Sequence, residues 1–298
     1  MSTAGAIIKT LRPRQWVKNS FVVAPLVFSK HLFDIDFALQ SAAAAAAFCG
    51  LSGAVYCFND LRDVDEDRRH PVKKNRPIAS GALPESTALV VAIALAVVSL
   101  AGCALLSLPL AGVGAGYLAI NLAYSLHLKQ IAWLDVSLIA AGFLLRVIGG
   151  GLAIDVPPSV WLLACTALLS MLLGFGKRAH ELKISGDAGS GRATTRAALA
   201  GYSLPVLTGS MVVLGLATCT TYALYTRDPH TLEYFGSRNL VWTTPFCVLG
   251  IARFMQLALV SPRLSSPTDA MLRDAPFLVN LLAWAGTVLA IIYSRVAQ

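Results

Sequence analysis

Charge is scarce in this chain. Only 13% of its 298 residues are Asp, Glu, Lys or Arg, while 56% are hydrophobic and the mean hydropathy is +0.66. Average globular chains carry about 25% charged residues, so an ordinary soluble domain is excluded. Thiol and imidazole chemistry are also missing. The six cysteines (Cys49, Cys57, Cys103, Cys165, Cys219, Cys247) form no CxxC pair and lie inside or at the ends of apolar runs. They read as small hydrophobes, neither a disulfide framework nor a zinc site. The five histidines are scattered without ligand spacing, and His127 and His180 read as surface residues. The N-terminus is polar and basic through Lys18 and no A-x-A site follows a short apolar core, so no cleavable signal peptide is expected. The net charge of +8 and pI of 9.3 come from basic residues in loops between apolar runs. With no nucleic-acid recognition motif present, membrane topology accounts for them and no nucleic-acid partner is expected.

What the chain has in abundance is uncharged sequence. Nine candidate spans fall roughly at 16–33, 37–58, 86–107, 109–126, 131–153, 157–176, 199–226, 240–260 and 275–294. The uncharged stretch from Ser86 to Leu128 is too long for one span, and Ser107-Leu108-Pro109 supplies its break. The first span is the weakest, interrupted by Pro25 and Lys30. With a cytoplasmic N-terminus, nineteen of the 24 Lys and Arg fall on the cytoplasmic side, four on the other, and Arg146 stays within a span. That asymmetry supports nine spans. The expectation is an all-α, polytopic protein of the plasma membrane, a single membrane domain over residues 1–298.

Against this background residues 59–76 stand out, with eleven of eighteen charged. They directly follow the Phe37–Phe58 run, so Asn59, Asp63 and Asp67 present oxygen ligands at i, i+4 and i+8, one stripe on a helix face. Hard oxygen donors suit Mg²⁺, which binds through one or two carboxylates plus substrate phosphates. The basic residues just downstream then hold the rest of a polyphosphate. This reads as a metal–diphosphate site at a membrane surface.

Further polar groups gather at the cytoplasmic ends of the even-numbered spans. Tyr124-Ser125-Leu126-His127-Leu128-Lys129 follows the fourth and Gly174-Phe175-Gly176-Lys177-Arg178-Ala179-His180-Glu181 follows the sixth, with Arg253 inside the eighth. Asp135 and Arg146 lie within the fifth apolar segment, where an ionisable residue is costly and marks function by default. The competing readings are a helix-start charge for Asp135, a structural ion pair for Arg146 and plain stop-transfer residues for Lys177 and Arg178. Lys18 and Asn19, after Trp16, either line the same polar mouth or sit at the interface with Lys18 snorkelling.

Asn59-Asp60-x-x-Asp63-x-x-x-Asp67 resembles the first Asp-rich motif of the UbiA superfamily of intramembrane prenyltransferases. A fuller pattern is similar to its decaprenyl-phosphate phosphoribosyltransferase branch: Arg12-Pro-Arg-Gln-Trp-x-Lys18-Asn19, Asn59 through Gly81, Tyr124 through Lys129, Leu145-Arg146-Val-x-Gly-Gly and Gly176-Lys177-Arg178-x-x-Glu181. The resemblance implies a nine-helix bundle with a polar cytoplasmic mouth, a lateral apolar groove for an isoprenoid, and a Mg²⁺-diphosphate. One departure matters. The second Asp-rich motif of classical members has two or more carboxylates, whereas Asp135-Val136-Ser137-Leu138-Ile139 retains one. That puts a second metal in doubt and fits a different diphosphate donor.

The implied reaction is attack of a polyprenyl phosphate oxygen on C1 of phosphoribosyl pyrophosphate (PRPP), with pyrophosphate leaving. Asn59, Asp63 and Asp67 are then the Mg²⁺ (or Mn²⁺) ligands and the catalytic set. Lys73, Arg76 and Lys129 fall to donor phosphates, Lys18, Arg146, Lys177 and Arg178 to the donor 5-phosphate or the lipid phosphate, and Asn19, Asp60, Tyr124 and Asp135 complete the substrate site. Self-association is left open. Two alternatives stand: a classical prenyltransferase acting on an aromatic acceptor through the same first motif, and a transporter, whose polar groups belong in inverted repeats at the midplane rather than at one face.

Overall fold

The computed structural model describes residues 2–187, 197–260 and 267–294, and contains helices and turns with no strand among them. Arg192, Arg196, Arg263 and Arg295, counted above for topology, lie outside the described residues. The helices are α1 (Thr3–Leu11), α2 (Ser20–Phe28), α3 (Ile35–Arg62), α4 (Val64–Arg69), α5 (Glu85–Leu106), α6 (Leu108–Leu126), α7 (Leu134–Ala153), α8 (Val160–Asp187), α9 (Leu204–Tyr225), α10 (Pro229–Phe235), α11 (Thr244–Val260), α12 (Pro267–Met271) and α13 (Ala275–Tyr293). Seven helical segments are long and apolar enough to cross a bilayer: α3, α5, α7, α8, α9, Asn239–Leu259 and α13. The described residues are those of an all-helical, integral membrane protein.

Two of the expected spans differ from these seven. The 16–33 segment contains a 3₁₀ turn (Pro13–Asn19) and the nine-residue α2 with Pro25 inside it. At 1.5 Å per residue, α2 reaches about 14 Å, half the hydrocarbon thickness. The α6 segment, at 19 residues, is long enough but is diluted by glycines, Tyr117, Asn121 and Tyr124. The break between α5 and α6 falls where the sequence placed it. Ser107 is extended (φ −164°, ψ 145°), and its hydroxyl accepts from the Leu110 N–H at 3.2 Å, capping the new helix.

The described residues cluster into two compact units. Unit 1 comprises residues 1–126 and 145–158, and unit 2 residues 127–144 and 159–298, so α7 contributes its first half to unit 2 and its second half to unit 1.

In unit 1, α3 is the central helix. Half of its apolar window is buried, against 17% for α5, which packs along it. Phe48, Leu51 and Val55 of α3 meet Val22 and Leu26 of α2, Leu110 and Tyr117 of α6, and Ala153 at the end of α7. Between helices in lipid, close packing replaces the hydrophobic drive available in water, which favours small residues at contacts. Gly150 is the clearest case. A Cβ there would lie 1.9 Å from the Val22 carbonyl oxygen, so only glycine lets α7 meet α2 this closely. A smaller cluster of Ala6, Val64, Ile78, Leu83 and Ala88 pins the 70–84 loop against α1 and α5.

In unit 2, α8, α9 and α11 pack together around Leu172, Phe175, Leu207, Met211, Phe254 and Ala258, and Val136 of α7 joins them. The Tyr222 hydroxyl ties this core to α13. It shares a 2.7 Å hydrogen bond with Thr243 and accepts from Trp284 Nε1 at 2.9 Å.

Candidate functional site

The acidic stripe crosses a helix boundary. Asp63 ends α3 and begins α4 (φ −92°, ψ 12°). The backbone nevertheless keeps its i→i−4 bonds there: the Asp63 N–H donates to the Asn59 carbonyl at 3.0 Å, and the Asp67 N–H to the Asp63 carbonyl at 2.8 Å. The spacing that makes Asn59, Asp63 and Asp67 one stripe therefore survives the break. Their environments differ. Asp67 is buried, whereas Asn59 and Asp63 are partly exposed.

Asp60 and Asp67 form the acidic floor of a basic cluster. One Arg76 nitrogen, Nη1, spans both carboxylates, at 3.1 Å from Asp60 Oδ1 and 2.6 Å from Asp67 Oδ2. Arg12 also donates to Asp60 Oδ1, and Lys73 Nζ lies 3.8 Å from Asp67 Oδ1. Arg12 is set by a left-handed backbone (φ 53°) at the end of α1, and its guanidinium lies over the Tyr56 ring. The His70-Pro71 turn aims Lys73. His70 Nδ1 accepts from the backbone N–H groups of Val72 and Lys73 at 3.1 and 3.2 Å, which assigns this histidine to the turn. Arg68, by contrast, pairs with Asp65 and Glu85 on an exposed face, an arrangement of little energetic weight.

Arg146 sits deeper in unit 1 and is 5% exposed. Its Nε donates to Asn19 Oδ1 and its Nη2 to the Tyr117 hydroxyl, both at 2.8 Å, and it lies over the Tyr117 ring. Asn19 in turn donates to Cys49 Sγ and Ser52 Oγ at 3.1 and 3.4 Å. Lys18 and Tyr124 of the expected set are partly exposed residues of the same unit.

Unit 2 holds Lys129, Asp135, Lys177 and Arg178. Here the structure pairs Asp135 with Arg178. Both are 0% exposed, and Arg178 Nε lies 2.6 Å from Asp135 Oδ2. Arg178 Nη1 also pairs with Glu181. Asp135 Oδ1 accepts from its neighbour's N–H at Val136 (2.8 Å) and from the Tyr202 hydroxyl (2.7 Å). Burial and this bond push the Tyr202 phenol well above its ordinary range, so it remains a proton donor at neutral pH. Lys177, next along α8, is exposed, and Lys129 is partly exposed.

The residues that the sequence reading did not assign are Arg12, Tyr117 and Tyr202. Their partners are 48, 29 and 67 positions away, and no local spacing signals such pairs. Only the Arg12-Pro13-Arg14-Gln15-Trp16 motif could have flagged Arg12.

The oxygen donors fit a hard cation. Asn59 Oδ1 is buried and has no hydrogen-bond partner among the described residues, and Asp67 Oδ1 likewise makes no hydrogen bond. A buried polar atom left so costs about 1–3 kcal/mol unless something satisfies it. Among the described residues no three His, Cys, Asp or Glu side chains gather into a metal cluster. The orphaned oxygens of Asn59 and Asp67 suit an ion that takes few protein ligands and completes its shell with water and phosphate, as Mg²⁺ does.

A membrane-embedded helical protein with an acidic stripe and a basic rim at one helix end is the architecture of the intramembrane prenyltransferases. Residues 21–282 match the UbiA prenyltransferase family, and the chain belongs to it. Among curated relatives, the decaprenyl-phosphate phosphoribosyltransferase of Mycolicibacterium smegmatis is 36% identical over 298 residues, covering 96% of this chain and 92% of the relative. That of Mycobacterium tuberculosis is 36% identical over 95% of this chain and 92% of its own. The Corynebacterium glutamicum protein of the same name is 33% identical over 97% and 87%. The fold is similar to that of a UbiA homolog from Archaeoglobus fulgidus bound to DMAPP and Mg²⁺, with a TM-score of 0.69, 17% identity, and 96% and 98% of the two chains covered.

Proposed function

We propose that this protein transfers 5-phosphoribose from PRPP to a polyprenyl phosphate of the decaprenyl type, releasing pyrophosphate, and so supplies a precursor for cell-envelope glycan. The observation that carries the reading is near-full-length identity of 33–36% to relatives named for that reaction. The site chemistry agrees with it. Three cations around two buried carboxylates in unit 1 suit a heavily phosphorylated substrate better than a neutral one.

The lipid phosphate is already anionic at neutral pH, so no strong general base is needed. The chain's task is to hold both reactants in line and to stabilise charge on the departing pyrophosphate. Asn59, Asp63 and Asp67 would hold a Mg²⁺, with Mn²⁺ as a substitute, and the ion so held would supply charge neutralisation for the leaving group. Lys73 and Arg76 bind donor phosphates, and Arg12 with Asp60 fixes the orientation of Arg76. Lys18, Asn19 and Tyr124 contribute to the same substrate site. Arg146 is braced by Asn19 and Tyr117 and presents a planar fork to a phosphate. Lys129 and Lys177 are assigned to phosphates by their sequence motifs.

The topology we propose has the N-terminus and the polar groups on the cytoplasmic side of a bacterial plasma membrane. The Pro13–Phe28 stretch and α6 complete nine membrane segments of one domain over residues 1–298. The isoprenoid tail stays in a lateral apolar groove, which spares its transfer through water.

The test is incubation of purified protein with Mg²⁺, labelled PRPP and decaprenyl phosphate, followed by lipid extraction. Label is expected in the organic phase, with equimolar pyrophosphate in the aqueous one. Label confined to the aqueous phase, while a prenyl diphosphate and an aromatic acceptor are consumed, overturns the proposal in favour of classical prenyl transfer.

A further inference from the structure

The turn entering α7 carries Lys129 in a short 3₁₀ segment (Leu128–Gln130) and ends at Trp133. Trp133 adopts φ 69°, a left-handed conformation that a bulky L residue takes only where its surroundings enforce it. The enforcing group is Tyr202. Its hydroxyl accepts from the Trp133 N–H at 2.6 Å and donates to Asp135 Oδ1 at 2.7 Å. Its ring packs against Trp133 and Phe175, with centroids 5.6 and 6.2 Å away. The connector bearing Tyr202 lies so close to the turn that a Cβ on Gly201 would come within 2.6 Å of the Ala132 methyl. Asp135 is anchored from its other side by Arg178, 2.6 Å away, and Arg178 is braced by Glu181. One hydroxyl thus links the backbone of the Lys129 turn to a buried ion pair between Asp135 of α7 and Arg178 of α8.

We propose that Tyr202 is a positioning residue that holds the Lys129 turn in its phosphate-binding geometry, with Asp135 and Arg178 as its buried anchor rather than as substrate ligands. The inference rests on the reading of Lys129 as a donor-phosphate ligand. Two features favour a latch over simple core packing. Both hydrogen bonds of the hydroxyl are spent on the turn and its anchor, and the strained residue it restrains lies four positions after Lys129.

Tyr202→Phe keeps the ring and removes both bonds. Steady-state kinetics with PRPP varied, on full-length protein, compare wild type, Lys129→Ala, Tyr202→Phe and the double variant. Lys129→Ala is expected to raise the KM for PRPP roughly ten- to a hundredfold, the loss of one charge-assisted hydrogen bond. Tyr202→Phe is expected to raise it about three- to tenfold with a smaller change in kcat, and the double variant to match Lys129→Ala alone. An unchanged KM in Lys129→Ala overturns the phosphate reading and the latch with it. A raised KM in Lys129→Ala with an unchanged KM in Tyr202→Phe overturns the latch alone, as does strict additivity. Should Tyr202→Phe not fold, hydrogen exchange of wild type decides. Slow exchange of the Trp133 amide before PRPP is added supports the latch, and exchange at the rate of an open loop overturns it.

Discussion

Unit 1 and unit 2 each bring arginine to carboxylate, and the two arrangements differ in where the charge faces. In unit 1 the carboxylates of Asp60 and Asp67 are 3% and 1% exposed, while the cations above them, Arg12, Arg76 and Lys73, are 31%, 30% and 39% exposed. The cations are thus partly exposed, and their field can reach an anionic ligand in water. In unit 2 both Asp135 and Arg178 are 0% exposed, and the remaining oxygen of Asp135 is closed off by Tyr202 and Val136. Desolvation makes such a pair costly to form and more costly to break. The difference teaches that a membrane protein places ionisable residues in two ways: an open cluster whose cations stay partly exposed, and a closed pair that water does not reach.

The sharpest way to break that contrast is Arg178→Met. It strands the Asp135 carboxylate, and loss of one partner from a buried pair costs about 3–5 kcal/mol. The expected outcome is a large fall in thermal stability measured in detergent, partly recovered by adding Asp135→Asn, which removes the uncompensated charge. A variant that melts like wild type would show that the pair is not closed in solution.

Asp63→Asn tests the open side. Removing one carboxylate from the stripe should lower turnover by about 10²–10³, roughly 2.7–4 kcal/mol of transition-state stabilisation. Extraction and melting should match wild type, and Mn²⁺ binding followed by electron paramagnetic resonance should weaken in parallel. Near-normal turnover at saturating Mg²⁺ would remove Asp63 from the ion site. The expected outcome for Arg76→Lys is smaller. The charge stays, but an ammonium cannot reproduce the planar donor fork of a guanidinium whose Nη1 spans Asp60 and Asp67. The KM for PRPP should rise about tenfold with kcat little changed, read from initial rates with PRPP varied.

Much of this architecture is legible in the amino-acid sequence. The apolar runs, the break at Ser107-Leu108-Pro109 and the 59–67 stripe are local patterns, and local periodicity survives into the fold because it is set by helix geometry. The short α2 was foreshadowed by Pro25, but its nine-residue length depends on the 3₁₀ turn before it, which hydropathy does not register. What no spacing could reveal is pairing across the chain. Asp135 read as a remnant of a metal motif because its counterion lies 43 positions on and its hydroxyl partner 67. Arg146 raised the same question, and its braces, Asn19 and Tyr117, come from two other segments. Whether a charge binds or braces depends on such distant neighbours.

Arg253 and Asp274 offer an intermediate case against which to calibrate both regions. Their side chains are 33% and 13% exposed, and Asp274 takes both Nε (3.0 Å) and Nη2 (2.7 Å) of the guanidinium. The same carboxylate caps α13 by accepting from the Phe277 N–H at 2.9 Å. The hydrogen bonds from Arg253 hold the Asp274 carboxyl below its ordinary range. A carboxyl depressed in the folded state contributes stability at pH values above its unfolded pKa of 3.8 and loses it as pH falls through the folded value. Melting temperature should therefore carry a small acid-side slope, beginning near pH 4 and steepening below it. Asp274→Asn keeps an oxygen for the cap and removes the charge, so it should flatten that slope while lowering stability only slightly at neutral pH. An unaltered slope in Asp274→Asn would assign the acid sensitivity to the other carboxylates, and would place this partly exposed pair with the energetically minor surface contacts such as Arg68–Asp65.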